Sequence, residues 1–481
     1  MTCRKLAKKV NSTSRRWTHW SQGDVEQGEG GQDTEMVAVG LLRGPMQHLY
    51  ARVGRHPACG QARRRPASRP LMPRPKPKRC PGVLAPGALQ RPNLSLFLPR
   101  ERRAMSIDGA ESQEDEHELS FYALRHPASV TLRELYQFGE SSTNSSRTLL
   151  LAAQFLHEEL PVRLARRARE LRKLPFGLGD TTSIKGVRKL YERSFFRIRR
   201  FPKPTHPELE ERFTEMLEDI KNEHSSVQAN IARGLQELSE ERTDLQRERG
   251  SSILLAQGMP FDFGQFLDRF YLSRVGVRVL MGQHIMLHHP QDGFVGVIQK
   301  RCQPSLVCQH AIEDAQRICE MQYGTCPEVI VEGQTDMTLP YIPEHLHYIF
   351  FELLKNSCRA VTERFGNDPG KMEPIHVVFA EGDEDVAIKI SDKGGGIPRS
   401  GMERLWTYTF TTAGNTKEKL NQLNAGGGAR QIMAGFAHGL PLSRIHARAF
   451  GGDLHVMPIQ GHGTDVYVHI CKLGNREVPV P

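Results

Sequence analysis

No Cys-x-x-Cys pair occurs in this sequence, and its nine cysteines include spacings such as Cys302/Cys308 and Cys319/Cys326. An odd count excludes a closed disulfide framework, and those spacings do not match a zinc site, so a reducing compartment is the simpler expectation. No apolar run reaches the roughly 18 residues that a membrane-crossing helix needs. Acid is scarce at the start: residues 1 to 104 hold 21 Lys+Arg against 6 Asp+Glu, while the remaining 377 hold 44 against 49. The net charge of +10 therefore belongs to the leader, and the rest is mildly acidic. A nucleic-acid-binding body would carry its positive charge on the folded surface, so that class is excluded.

What is present divides into three stretches: 1–118, 119–292 and 293–478. The first 21 residues carry Arg4, Lys5, Lys8, Lys9, Arg15 and Arg16, with no acid before Asp24. That pattern fits an organellar transit peptide; a disordered basic arm, or an extension ahead of a start at Met105, are the alternatives. From Gly40 to Arg103 the chain is rich in Pro and Arg and should be disordered, having too little apolar surface to offset chain entropy. Structure is expected from about Leu119. Helical periodicity runs through Leu132–Tyr136 and Leu149–Leu156, then Val162–Leu174 with Pro161 in its first turn, Ser183–Phe201, Pro207–Glu223, Ser226–Arg247 and Phe261–His288. Long helices with short breaks predict an antiparallel helical bundle.

After Gly293 the pattern changes. Short β-branched runs (Phe294–Ile298, Glu328–Val331, Ile375–Ala380, Val386–Ser391, Gly452–Met457, Thr464–Ile470) alternate with helices (Ser305–Tyr323, Pro343–Phe365, Leu442–Phe450). This predicts an α/β sandwich, a mixed sheet covered by helices on one face. The overall class is α plus α/β.

Four pieces of this second half carry chemistry. On the helix Pro343–Phe365, Glu352, Lys355, Asn356 and Arg359 share one polar stripe, and the Asn amide oxygen suits Mg²⁺. Ser391-Asp392-Lys393-Gly394-Gly395-Gly396 follows a strand, so backbone can approach a ligand closely beside an acceptor, Asp392. Gly426–Gly428 through Gly435-Phe436-Ala437-His438-Gly439-Leu440 opens a helix, a phosphate-binding arrangement, and the aperiodic stretch Ala413–Gly428 before it reads as a mobile lid. Gly463-Thr464 enters the last strand. Each piece alone is also a surface stripe or a turn; the four in this order are specific.

That order resembles the nucleotide fold shared by gyrase, the ninety-kilodalton heat-shock chaperones, histidine kinases and MutL. Glu352…Asn356 resembles its N box, Asp392-x-Gly394-x-Gly396 and Gly435–Gly439 its two glycine boxes, and Gly463-Thr464 its Thr box. Upstream, Glu159-Leu160-Pro161-Val162-Arg163-Leu164-Ala165 and Gln265-Phe266-Leu267-Asp268-Arg269-Phe270-Tyr271 look like signatures of the mitochondrial 2-oxoacid dehydrogenase kinases. Glu352-Leu353-Leu354-Lys355-Asn356-Ser357 and Gly451-Gly452-Asp453-Leu454 agree, and the resemblance covers about residues 119 to 478. Within that family, His345-Leu346-His347, Arg359-Ala360-Val361 and the short ending Lys472-Leu473-Gly474 resemble pyruvate dehydrogenase kinase of the plant and algal type. Leu174-Pro175-Phe176 and Phe410-Thr411-Thr412-Ala413 lean toward the branched-chain kinase.

The resemblance implies ATP and Mg²⁺ as cofactors, held by residues 352–359 (Cys358 among them), Asp392, Gly394, Gly396, Thr411, Thr412, Gly435, Phe436, Ala437, His438, Gly439, Leu440 and Thr464. It implies Asn356 as the metal ligand and Glu352 as the general base for a serine of the pyruvate dehydrogenase α subunit. It also implies docking to the lipoyl domain of the dihydrolipoyl acyltransferase core, a homodimer, and residence in the mitochondrial matrix. The branched-chain complex as substrate, a histidine kinase with His284 as phosphoacceptor, and a non-catalytic lipoyl-binding scaffold are the competing functions. The Arg163–Lys173 basic run reads as a solvated helix face, with docking to an acidic surface on the complex as the alternative. In animal members a His stands four residues before the catalytic Glu; here that place is Tyr348, and His347 lies five before.

The second glycine box departs from Gly-x-Gly-x-Gly at Ala437. If positive φ is required there, a methyl group costs on the order of 1 kcal/mol. Ala437→Gly is therefore expected to tighten ATP binding, measured by calorimetric titration, and unchanged affinity would discard the idea.

Overall fold

In a computed structural model, the protein is described over residues 113–141, 146–175, 177–249, 263–366, 368–408, 438–473 and Val480. Seven helices come first: α1 (Gln113–Leu124), α2 (Leu132–Ser141), α3 (Ser146–Arg172), α4 (Thr182–Arg200), α5 (Pro207–Glu223), α6 (Val227–Arg249) and α7 (Phe263–His288). Helix α4 shows why they assemble. Ile184, Val187, Tyr191, Phe195 and Ile198 fall on one buried face, while Arg197, Arg199 and Arg200 sit in its last turn, where the helix dipole favours cations. Helix α7 is buried along most of its length, including Phe270, Tyr271, Val277, Leu280 and Met281. It is the central helix, packed by α3 and α5.

Next come a hairpin, β1 (Phe294–Val295) and β2 (Ile298–Cys302), helix α8 (Pro304–Tyr323), β3 (Val329–Gly333), β4 (Leu339–Tyr341) and helix α9 (Pro343–Phe365). Strands β5 (Ile375–Glu381) and β6 (Asp385–Asp392), helix α10 (Gly439–Arg448), and strands β7 (Asp453–Ile459) and β8 (Gly463–Cys471) complete it. The main sheet runs β3-β5-β6-β8-β7, with β3 parallel to β5 and the other pairs antiparallel. Val386, Ile388, Ile390 and Asp392 alternate with half-buried residues, so one face of β6 is in the core. Helices α8 and α9 pack on each other, α9 on β6, and α10 on β7 and β8, so the expected α plus α/β architecture is present. No helix among the described residues is long and apolar enough to cross a membrane.

Four expectations change. The first helix begins at Gln113, ahead of Leu119, because its acidic start is paired: Asp115 with Arg200, Glu116 with Arg172, Glu118 with Arg199. The helix expected from Val162 starts at Ser146 and runs through Pro161. A mid-helix proline forfeits one backbone hydrogen bond. Here the residues around it, from Leu156 to Leu171, are largely buried, and that packing holds the helix together. The run Phe294–Ile298 is a tight hairpin turn instead of one strand. Gln283 of α7 shapes it, donating to the Val295 carbonyl at 3.1 Å and accepting from the Val297 N–H at 3.0 Å.

The fourth correction concerns the basic run on α3. Arg166, Arg169, Arg172 and Lys173 are at least partly exposed, but Arg163 and Arg167 are buried. Arg163 donates to Glu159 at 2.7 Å and to the carbonyls of Ala128 and Val480. Glu159 accepts in turn from the Ala128 N–H at 3.0 Å. Removing one partner of a buried pair strands the other charge, which costs about 3–5 kcal/mol. Glu159→Ala is thus expected to lower unfolding free energy by that amount in urea titrations; a loss under about 1 kcal/mol, typical of exposed pairs, would mean that Arg163 reaches water.

Candidate functional site

The polar stripe of α9 forms one wall of the site. The helix starts at Pro343, whose missing N–H costs nothing in a first turn, and ends before Gly366. Leu346, Phe350, Leu353, Leu354, Cys358 and Val361 are buried in the core. The side chains of Leu353, Leu354 and Cys358 therefore pack the helix in place, whatever their backbone contacts. Burial raises the Cys358 thiol far above its usual value. Glu352 is half-buried, and Lys355, one turn on, donates to its Oε1 at 2.8 Å while lying over the Phe351 ring. Asn356 and Arg359 are half-buried on the same stripe, and Arg359 Nε stands 3.7 Å from Glu363.

The opposite wall is the end of β6. Asp392 has the parity of Val386, Ile388 and Ile390, so the strand points its carboxylate inward, where it is 6% exposed. Three donors from three segments meet it: Ser357 Oγ of α9 at 3.1 Å, Gly394 N–H at 2.9 Å and Thr464 N–H of β8 at 3.3 Å. Burial raises its pKa, and the three hydrogen bonds act against that rise. Gly394 lets strand and helix meet, since a Cβ there would lie 2.4 Å from the Cβ of Ala360. Gly396, at φ 70°, continues the turn.

A residue with no assigned role in the sequence reading locks this corner. Arg364, in the last turn of α9, donates to the carbonyls of Lys393, Gly461 and His462, clamping the β6 exit to the β7–β8 turn. Its targets are main-chain oxygens, which leave no trace in side-chain spacing.

The third wall is the start of α10, which opens at Gly439. A Cβ on Gly439 would stand 2.3 Å from Glu352 Oε2, so the carboxylate as placed would have to turn aside for any larger residue. Leu440 is half-buried. His438 is buried between the rings of Tyr271 and Tyr408, with the Tyr271 hydroxyl 3.5 Å from its Nδ1. Burial pushes its pKa down to about 4, so it is neutral near pH 7. The structure brings together Glu352, Lys355 and Gly439 at one corner, and Ser357, Asp392, Gly394 and Thr464 at another. Thr411, Thr412, Gly435, Phe436, Ala437 and the lid expected at Ala413–Gly428 lie outside the described residues.

Two histidines can now be placed. His347 stacks on Phe351 and approaches Asp314 at 3.2 Å. His284 is 2% exposed, with its Nε2 against Glu210 and Thr214, so it is not presented to a phosphoryl donor.

Residues 129–299 match the family model described as mitochondrial branched-chain alpha-ketoacid dehydrogenase kinase. Residues 341–473 match the histidine kinase-, DNA gyrase B-, and HSP90-like ATPase model. The chain is similar to a mitochondrial [pyruvate dehydrogenase (acetyl-transferring)] kinase of Arabidopsis thaliana, 43% identical over 73% of this chain and 92% of that protein. It is also similar to the mitochondrial kinase of that name from Drosophila melanogaster, at 34% over 74% of this chain and 85% of the relative. The human isozyme 4 is 33% identical over 79% and 89%.

Gly439→Ala puts a methyl group where Glu352 Oε2 lies, so the carboxylate must turn aside, at a cost of about 1 kcal/mol, the low end for overpacking because it is the end of a flexible side chain. The cost should vanish in a Glu352→Ala background, where no carboxylate meets the methyl group. A thermodynamic cycle over the two variants measures this coupling, and strict additivity would refute the contact.

Proposed function

The chain belongs to the family of mitochondrial pyruvate dehydrogenase kinases, and from that premise we propose that it phosphorylates and inactivates the α subunit of the pyruvate dehydrogenase complex in the mitochondrial matrix. ATP is the phosphoryl donor and a serine hydroxyl the acceptor. The observation that carries this reading is the setting of Glu352: a half-buried carboxylate, oriented by Lys355 at 2.8 Å and admitted by Gly439 at the mouth of a glycine-led helix. A carboxylate so placed can take the serine proton as the γ-phosphoryl group transfers in line.

Asp392 is the acceptor for the adenine amino group, held in place by its three donors. Asn356 lies one turn beyond Glu352 and presents an amide oxygen, the ligand type a hard cation prefers, so the residues present fit Mg²⁺. Bound there, Mg²⁺ would neutralise charge on the triphosphate. Lys355, Arg359, Thr464 and the segment through Leu440 are the further nucleotide contacts. The helical bundle is the part proposed to dock the lipoyl domain of the acyltransferase core, and the kinase is proposed to act as a homodimer.

A second reading, the branched-chain complex as substrate, is favoured by one observation: the family model matched by the bundle carries that name. Incubating the protein with each purified complex and Mg²⁺-ATP separates the two. Acid-stable phosphoserine on the pyruvate dehydrogenase α subunit is expected; incorporation into only the branched-chain α subunit would transfer the assignment.

Glu352→Gln is expected to lower the transfer rate about 100- to 10,000-fold, the range for losing a general base, with ATP affinity unchanged. Asp392→Ala is expected to do the reverse, weakening ATP binding by roughly tenfold or more, as loss of a charged hydrogen bond implies. Stopped-flow transfer and equilibrium nucleotide binding read the two effects apart. Transfer within tenfold of wild type in Glu352→Gln would remove the base from Glu352.

A further inference from the structure

A second constellation of ligating atoms lies in the bundle, away from the nucleotide-domain residues. His284 and His288 are one turn apart near the end of α7, and both aim Nε2 at Oε1 of Glu210 in the first turn of α5, at 3.1 and 2.8 Å. Thr214, one turn along α5, places its Oγ1 2.8 Å from His284 Nε2, 3.2 Å from His288 Nε2 and 3.1 Å from Glu210 Oε1. The ligating atoms of Glu210, His284 and His288 all lie within 4.8 Å of one another. We propose that these four side chains form a binding site for a divalent transition-metal ion of the Zn²⁺ type, joining α5 to α7.

Proton counting supports the site. Five short contacts link the four atoms, yet the atoms carry at most three protons: one on the threonine hydroxyl and one on each Nε2. Two contacts must share a proton or have none. A central cation satisfies all four oxygen and nitrogen lone pairs at once. Ligands about 2.0–2.2 Å from Zn²⁺ in a tetrahedron stand roughly 3.3–3.6 Å apart. The five contacts run from 2.8 to 3.2 Å, so the atoms need to part by only roughly half an ångström to admit an ion. Two imidazoles with a carboxylate are a common zinc donor set, leaving the hydroxyl as a weak fourth ligand. His288 is the accessible member, its side chain 16% exposed against 1% and 4% for His284 and Glu210, and offers the entry route. Coordination through Nε2 puts the His284 proton on Nδ1, which is buried without a protein acceptor. That cost sets the affinity below that of a closed structural zinc site.

The test is titration of the full-length protein, stripped with chelator, using Zn²⁺ and then Co²⁺ as probes. Wild type should bind one ion more per chain than His288→Gln or Glu210→Gln, and its melting temperature should rise with Zn²⁺ while theirs does not. Co²⁺ should give a visible tetrahedral band without thiolate charge transfer, which separates this site from the free cysteines. At this site the variants should bind more than about 100-fold more weakly, the upper end of what losing an outer-shell partner alone costs. Circular dichroism in chelator confirms that the variants fold; Glu210→Gln keeps the side-chain shape should His288→Gln disturb α7. Equal stoichiometry in all three proteins, a spectrum of thiolate ligands alone, or no melting response in wild type would overturn the proposal.

Discussion

The structure of the nucleotide domain depends on a buried carboxylate that three segments must satisfy together. Asp392 ends β6 facing the core, where an uncompensated charge is costly. Its donors come from α9, from the turn after β6 and from the first residues of β8. None of these segments can shift without leaving Asp392 short of a donor, so helix, central strand and neighbouring strand are fixed at one point. At the surface, Arg364 bridges the two turns through their main-chain carbonyls. The group proposed to accept from the adenine is thus also the fastener of the domain.

The other corner is tied to the bundle. Glu352 sits against Gly439, and the residue before it, His438, is held between Tyr271 of α7 and Tyr408, whose hydroxyl donates to Asp268 at 2.6 Å. Tyr348, one turn before Glu352, is reached by Gln228 of α6. Burial, with Glu352 nearby, raises its hydroxyl pKa well above the usual value, so it stays a neutral hydroxyl. Next to it, His345 and His446 stack edge to face, with burial pushing His446 down to about 3. The layer between the bundle and α9 is therefore rich in aromatic rings and neutral histidines, with Asp268, Arg274 and Arg278 at its margin. Packing of this kind moves as a unit, which links the position of Glu352 to that of α6 and α7.

Legibility in the sequence followed the range of the interactions. The strand ending at Ser391 already put Asp392 at a strand end as an acceptor, and the i, i+3, i+4 spacing already put Lys355 and Asn356 beside Glu352. Both are local rules, and both appear in the fold. What escaped was set by partners distant in sequence. Pro161 looked like a helix start because packing around α3 cannot be read from a window of residues. Arg163 looked solvated because, beyond the local pair with Glu159, what buries it includes the carbonyls of Ala128 and Val480, brought in from elsewhere. Arg364 and the Gln283-shaped hairpin were missed for the same reason. The cluster of Glu210 with His284 and His288 needed α5 and α7 to be laid side by side.

This contrast bears on how the two halves divide their work. In the bundle, the buried pair Arg163–Glu159 is closed by partners within the protein and ties α3 to the segment before α2. In the nucleotide domain Asn356, midway along α9, and Thr464, at the start of β8, remain half-buried. A polar group so placed can exchange a water for a ligand with little reorganisation, whereas one sealed in a core cannot.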